Sequence, residues 1–185
     1  MKVVIRIGGS VVASPPNPKL IGQYVDLLKN LKEEGHEVVA VVGGGVLARD
    51  FIKVAEEMGL KEPDQDWVAI FVSRLFALLF VMRLGAMGCG TVPVTIDEAV
   101  DCFKRDKIVV MGGLKPGMTT DAVAAMIAER LKARLLIKAT DQEGVYTKDP
   151  DKFPEAKKID EISFKDLSTL LEEDKHKAGI QQILD

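Results

Sequence analysis

Four glycine clusters, each close behind a short run of branched aliphatic residues, restrict the fold of this 185-residue chain more than any other feature. Gly8-Gly9-Ser10 follows Val3–Ile7, Gly43-Gly44-Gly45 follows Glu37–Val42, and Gly112-Gly113 with Gly117 follows Ile108–Met111. Gly144 comes shortly after Leu135–Ala139. Continuous apolar runs of this length predict strands covered on both faces, because a half-exposed strand alternates. Helical periods separate them. Asn17 and Pro18 predict a capped helix start and Gly35 its stop. Further helices are expected over about 46–58, 66–84 and 119–132. Strand and helix in alternation predict an α/β fold with a mostly parallel central sheet, layered as an αβα sandwich.

Composition narrows the function. Lys and Arg number 25 against 28 Asp and Glu, a net charge of −3, which provides no basic field for nucleic acid and no polybasic membrane patch. The most hydrophobic stretch, Trp67–Leu84, is broken by Arg74 and Arg83 into uncharged runs shorter than a bilayer span of about 20 residues. The chain therefore reads as cytoplasmic, with neither membrane nor nucleic acid as partner. Two cysteines, Cys89 and Cys102, and two histidines support neither a disulfide scaffold nor a Cys/His metal site, so no metal-ligating residue is expected. The helix over about 66–84 is apolar almost all round; it is either a central core helix or one lying against a second subunit. Residues 144–159 break the strand–helix rhythm and predict a small hairpin or lobe, with a last helix over about 163–173.

In a parallel sheet the strands' carboxyl ends share one edge, so all four glycine clusters are expected to meet there. Backbone N–H groups freed by glycine, and helix N-termini behind them, suit phosphate groups. A single Gly-Gly after a strand is equally a plain tight turn; the convergence is what points to anions. Neither GxxxxGK[ST] nor a spaced GxGxxG occurs, which disfavours a P-loop or a dinucleotide fold. Arg49, one turn beyond Gly45, can fork phosphate oxygens, or it is a solvated surface residue. Asp121, behind Thr119 and Thr120, is either a helix cap or a group orienting a cation at a transferred phosphate.

The segments IGGS, GGGVLARDF (43–51), GGLKPGMTTDAVAA (112–125) and ATDQEGVYTKDP (139–150) together resemble the amino acid kinase family, most closely its archaeal-type uridylate kinases. The resemblance runs in order over nearly the whole chain. It implies an enzyme that transfers the γ-phosphoryl group of ATP to UMP, giving UDP and ADP on the route to CTP. It also implies Mg²⁺ held mainly by nucleotide phosphates, and a homohexamer built from dimers through the apolar helix. Carried over by position, Arg6, Arg49 and Asp121 are catalytic. Gly44, Asp66 and the loop Leu114, Lys115, Pro116, Gly117, Met118, Thr119, Thr120 bind UMP, with Asp66 on the ribose. Gly9, Ser10, Gly45, Arg49, Thr140, Tyr146 and Asp149 bind ATP. One domain is implied, its acceptor half about 1–132 and its ATP half beginning at about 133, with the C-terminal part incomplete.

The chain departs from the family pattern in places. Arg6 stands where many members have lysine, Phe76 where related kinases have asparagine, and Asp141-Gln142-Glu143 where Asn-Val-Asp is usual. Two alternatives accompany the leading reading: another small-molecule kinase of the family, and a non-catalytic nucleotide-binding storage or regulatory protein on the same fold.

Overall fold

A computed structural model describes residues 1–141, 143–148, 150, 152–167 and 169. The chain divides into two compact units, Met1–Ala139 and Thr140–Asp185. The first is built on a four-stranded, all-parallel sheet of β1 (Lys2–Ile7), β2 (Glu37–Val42), β3 (Val109–Met111) and β4 (Leu135–Ala139), ordered β3-β2-β1-β4. The paired register runs from Val3↔Val38 to Ile7↔Val42 on one side of β1 and from Val3↔Leu135 to Ile7↔Ala139 on the other.

Each strand places alternate residues on opposite faces, and both faces are covered. Ile5, Ile7, Ala40 and Val42 pack with Val25, Leu28, Phe76 and Phe80. Val4, Val39, Val41 and Met111 pack with Ala99, Phe103, Val123 and Ile127. This two-sided burial is the physical origin of the unbroken apolar runs. β4 differs from the expectation of a buried strand: Leu135, Leu136 and Ile137 are each 40–45% exposed. Among the described residues it is an edge strand, paired to β1 alone.

The helices follow their sequence signals. In α2 (Pro18–Glu33) Asn17 Oδ1 accepts from the Leu20 amide at 3.0 Å, Pro18 occupies the first turn, and Gly35 closes the end at φ +82°. A short α1 (Gly9–Val12) precedes it, and α3 (Gly45–Glu57) follows β2. α4 (Glu62–Leu84) begins before the expected Asp66, with Pro63 in its first turn and no side-chain cap to mark the start. A 3-10 turn at Gly85–Met87 and α5 (Ile96–Lys104) lead into β3, and α6 (Thr120–Leu131) into β4. α5 carries a readable signal in Thr95-Ile-Asp-Glu98. Thr95 Oγ1 accepts from the Glu98 amide at 3.1 Å, and Glu98 Oε2 accepts from the Val94 amide at 2.8 Å.

Cys89 and Cys102 are joined in a disulfide, Cα–Cα 5.6 Å. The bridge is not a scaffold but a local tie between the segment behind the 3-10 turn and α5. Phe76 is buried in the core. By length and composition Glu62–Met87 could cross a membrane, but Ile70, Val72, Phe76, Phe80 and Leu84 on α4 are packed into the core. Its opposite face stays apolar and open: Trp67, Phe71, Leu75, Leu79 and Met82 are exposed, Phe71 by 63% and Met82 by 69%.

The second unit contains the antiparallel pair β5 (Val145–Tyr146) and β6 (Lys158–Ile159), the hairpin expected for that stretch. Thr147 Oγ1 accepts from the Lys157 amide at 3.1 Å, and Lys148 pairs with Glu155 at 3.0 Å. Residues 164–167 are helical, started by Ser163 Oγ accepting from the Asp166 amide at 3.1 Å. The later part of the helix expected over 163–173 lies largely outside the described residues.

Candidate active site at the carboxyl rim of the sheet

Three of the four glycine clusters lie at the carboxyl ends of the strands, and the first two meet there by backbone contact. A Cβ on Gly9 would lie 2.0 Å from the Gly45 nitrogen, and one on Gly45, at φ +61°, would lie 2.4 Å from the Gly9 carbonyl oxygen. The loops after β1 and β2 therefore touch main chain to main chain, which only glycine permits. Ser14 locks them: its Oγ donates to the Gly9 carbonyl at 3.3 Å and accepts from the Val46 amide at 2.9 Å. Ser10 lies partly exposed beside them, and Arg49 is exposed one turn into α3.

The loop after β3 is tied to α4. Ser73, buried, donates to the Ile70 carbonyl at 2.7 Å and accepts from the Gly113 amide at 2.9 Å. A Cβ on Gly112 would fall 2.7 Å from Ser73 Oγ, and one on Gly44 3.5 Å from the Ser73 nitrogen. This stretch of α4 thus touches the loops after both β2 and β3. Arg74 donates from Nε to the Gly113 carbonyl and from Nη2 to the Leu114 carbonyl, each at 2.9 Å. Burial pulls its pKa down from the usual guanidinium range, with the Glu98 charge acting the other way. Asp66 holds the tip of the same loop, its Oδ2 accepting from the Gly117 amide at 2.7 Å. Asp66, Gly44 and the 114–120 loop, assigned to one ligand by the resemblance, are linked through α4. Ser14 and Ser73 escape sequence reasoning, because nothing in their local pattern marks them, and Arg74 shows there only as a charge breaking the apolar run Trp67–Leu84.

Charge gathers on the α6 side. Thr119 caps α6, Oγ1 accepting from the Ala122 amide at 3.1 Å, and so leaves the Asp121 carboxylate to other partners. Arg6 Nη2 meets Asp121 Oδ2 at 2.9 Å, and Lys138 Nζ meets Oδ1 at 3.4 Å. Arg6 and Lys138 are register partners on β1 and β4. At the rim two cations thus flank one carboxylate. Among the described residues no group of three or more His, Cys, Asp and Glu could hold a metal ion. A cavity of about 410 Å³ lies at the other end of the sheet, lined by Lys2, Glu37, Phe103, Arg130 and Lys132; no glycine loop lines it.

Thr140 and Tyr146 belong to the second unit, as does the fourth glycine, Gly144. Thr140 Oγ1 donates to Asp141 at 3.4 Å, and the Tyr146 hydroxyl donates to Glu143 Oε2 at 3.3 Å. Loss of solvent raises the Tyr146 pKa above the ordinary phenol value, and the charge and hydrogen bond of Glu143 raise it further. Asp149 lies outside the described residues.

The family model for the amino acid kinase family matches residues 1–184. The uridylate kinase of Methanocaldococcus jannaschii is 42% identical over 187 residues, which cover this whole chain and 83% of that protein. The uridylate kinase of Thermococcus kodakarensis is 40% identical, again over the whole chain, and 82% of its own length is covered. Among solved structures, uridylate kinase from Archaeoglobus fulgidus superposes with a TM-score of 0.85 at 38% identity, covering 93% of this chain and 78% of that one. Aspartate kinase from Synechocystis shares the fold, with a TM-score of 0.75 at 21% identity, over 92% of this chain and 34% of its own.

Proposed function

The chain belongs to the amino acid kinase family, and from that premise we propose that it is a UMP kinase, making UDP and ADP from UMP and ATP on the route to CTP. The observation that carries this reading is the hold of Asp66 on Gly117, which draws the 114–120 loop onto the start of α4. That arrangement supports an acceptor pocket formed by Gly44, Asp66 and the seven residues Leu114 to Thr120, with the remaining Asp66 oxygen free for a ribose hydroxyl. Gly9, Ser10, Gly45 and Arg49 take the ATP phosphates, and Thr140, Tyr146 and Asp149 border its adenine side. The acceptor half covers about 1–132 and the ATP half starts at about 133, within one domain.

In the reaction an oxygen of the UMP phosphate bonds to the γ-phosphorus. The bond from that phosphorus to the β–γ bridging oxygen breaks, and its electron pair stays on ADP. The UMP phosphate is already ionised near neutrality, so no general base is needed. What the protein supplies is alignment and charge. Amides of the glycine loops and the Arg49 fork fit the phosphate oxygens, and Arg6, steadied by Asp121, faces the same rim. The ion pairs with Arg6 and Lys138 engage both Asp121 oxygens, and among the described residues no group of carboxylates forms a metal cage. Magnesium carried by nucleotide phosphates and water needs no cage, and when bound it offsets charge on the β- and γ-phosphates.

The open apolar face of α4 supports a homo-oligomer in which that face is the dimer contact; the assembly of dimers into a hexamer, in the cytoplasm, is proposed from the family resemblance. ADP release measured with Mg-ATP and UMP, CMP, AMP or acetylglutamate tests the activity. UMP is expected to be the preferred acceptor by a wide margin. Equal rates on all four, or ATP binding without UDP, would refute it.

A further inference from the structure

We propose that Lys138 is a further phosphate-contacting cation of this site, set opposite Arg6 across Asp121, and that it offsets charge on the phosphoryl group in flight. The inference rests on the kinase reading above and goes beyond the residues assigned there. Its basis is register. Arg6 and Lys138 are partners across β1 and β4, each one residue before its strand ends, so both project from the same face at the rim. α6 starts over that face, and the Asp121 carboxylate in its first turn takes one cation on each oxygen.

The two cations are not equivalent. The Arg6 side chain is 14% exposed and that of Lys138 29%. Among the described residues, the buried Arg6 Nε makes no hydrogen bond. Arg6 is thus a planar fork wedged into the sheet and committed to Asp121. Lys138 offers a compact ammonium with three donors on a flexible stem, at a loose 3.4 Å from its carboxylate. The flexible stem lets the ammonium stay beside Asp121 while reaching phosphoryl oxygens as bonding shifts from the ATP bridging oxygen to UMP. The chemistry of the ligand is a transferring phosphate between two nucleotides.

The test is steady-state kinetics on the purified protein with Lys138→Met, Lys138→Gln and Lys138→Arg. The Met and Gln variants are expected to lose about 100-fold in kcat, the scale of one lost transition-state donor, with KM for UMP and ATP within about threefold. Arg, which restores the charge, is expected to recover at least about tenfold of that loss. Two neutral variants of different polarity guard against one that fails to fold. Met and Gln variants within about threefold of the parent kcat, a loss confined to KM, or an Arg variant no better than Met would each overturn the inference and leave the kinase reading standing. A parent protein that forms no UDP removes both.

Discussion

Replacing Gly9 by alanine tests the meeting of the first two loops, and Gly22→Ala is its matched control. The added Cβ at Gly9 would sit 2.0 Å from Gly45 N, 2.6 Å from Gly45 Cα and 2.9 Å from Gly43 C. All three are main-chain atoms at the end of β2, so no rotamer change relieves the clash and the strand ends must part. Overpacking costs about 1–3 kcal/mol where side chains can give way, so a backbone clash belongs at the upper end, about 3 kcal/mol. For a chain of this size that lowers the melting midpoint by roughly 6–12 °C. At Gly22, inside α2, a Cβ meets nothing within 4 Å. There alanine removes the entropy cost of a helical glycine, about 0.5–1 kcal/mol, and raises the midpoint by roughly 1–4 °C. Calorimetric melts of the three proteins, with UDP formation measured alongside, make the comparison. Gly9→Ala is also expected to abolish turnover, because the displaced loop is the one assigned to the ATP phosphates. A Gly9→Ala protein melting within about 2 °C of the parent would refute the backbone contact itself.

Asp66→Ala removes a charge-assisted bond to Gly117, so UMP affinity by titration calorimetry should fall about 10–100-fold while ATP affinity moves less than about threefold; the reverse pattern would mean the two halves of the site are interchanged. Phe71→Glu places a charge in the middle of the exposed apolar face of α4 and should yield monomers by light scattering, whereas an unchanged mass would exclude that face as the subunit contact. Both tyrosines, Tyr24 through burial and Tyr146 through lost solvent and Glu143, have pKa values above 10.0 in the fold. The native state therefore binds their protons more tightly than the unfolded chain, and the stability this adds is full below about pH 10 and is lost as pH rises through the native values. Absorbance at 295 nm should show phenolate appearing at higher pH in the native protein than in the denatured one; coincident curves would contradict the shift.

The strands of the sheet were legible because both faces are buried, which leaves no alternation to confuse them with surface strands. β4 shows the limit of that logic: its apolar run is as continuous as the others, yet among the described residues it pairs with β1 alone, and strand order is not encoded in a local pattern. α5 carried a capping signal in Thr95 and Glu98, whereas the start of α4 has no cap to find. The first three glycine clusters lie at the strand ends as expected, but their reason was only partly legible. Gly9, Gly45 and Gly112 are required for close packing of main chain and α4, and the proposed service of the loop amides to phosphate falls within that constraint. Thr119 does the capping that Asp121 could have done, and this division frees the carboxylate for Arg6. Lys138 was invisible for another reason: it stands 132 residues from Arg6 in sequence, and only the pairing of β1 with β4 makes them neighbours.

One guanidinium joins two jobs on α4. Arg74 lies 5.8 Å over both the Trp67 and Phe71 rings while its nitrogens hold the Gly113 and Leu114 carbonyls. A neighbour pressing on those rings would press on the support of the acceptor loop as well. In the proposed dimer and acceptor pocket, subunit recognition and substrate grip would therefore share a lever, so that a change to one disturbs the other.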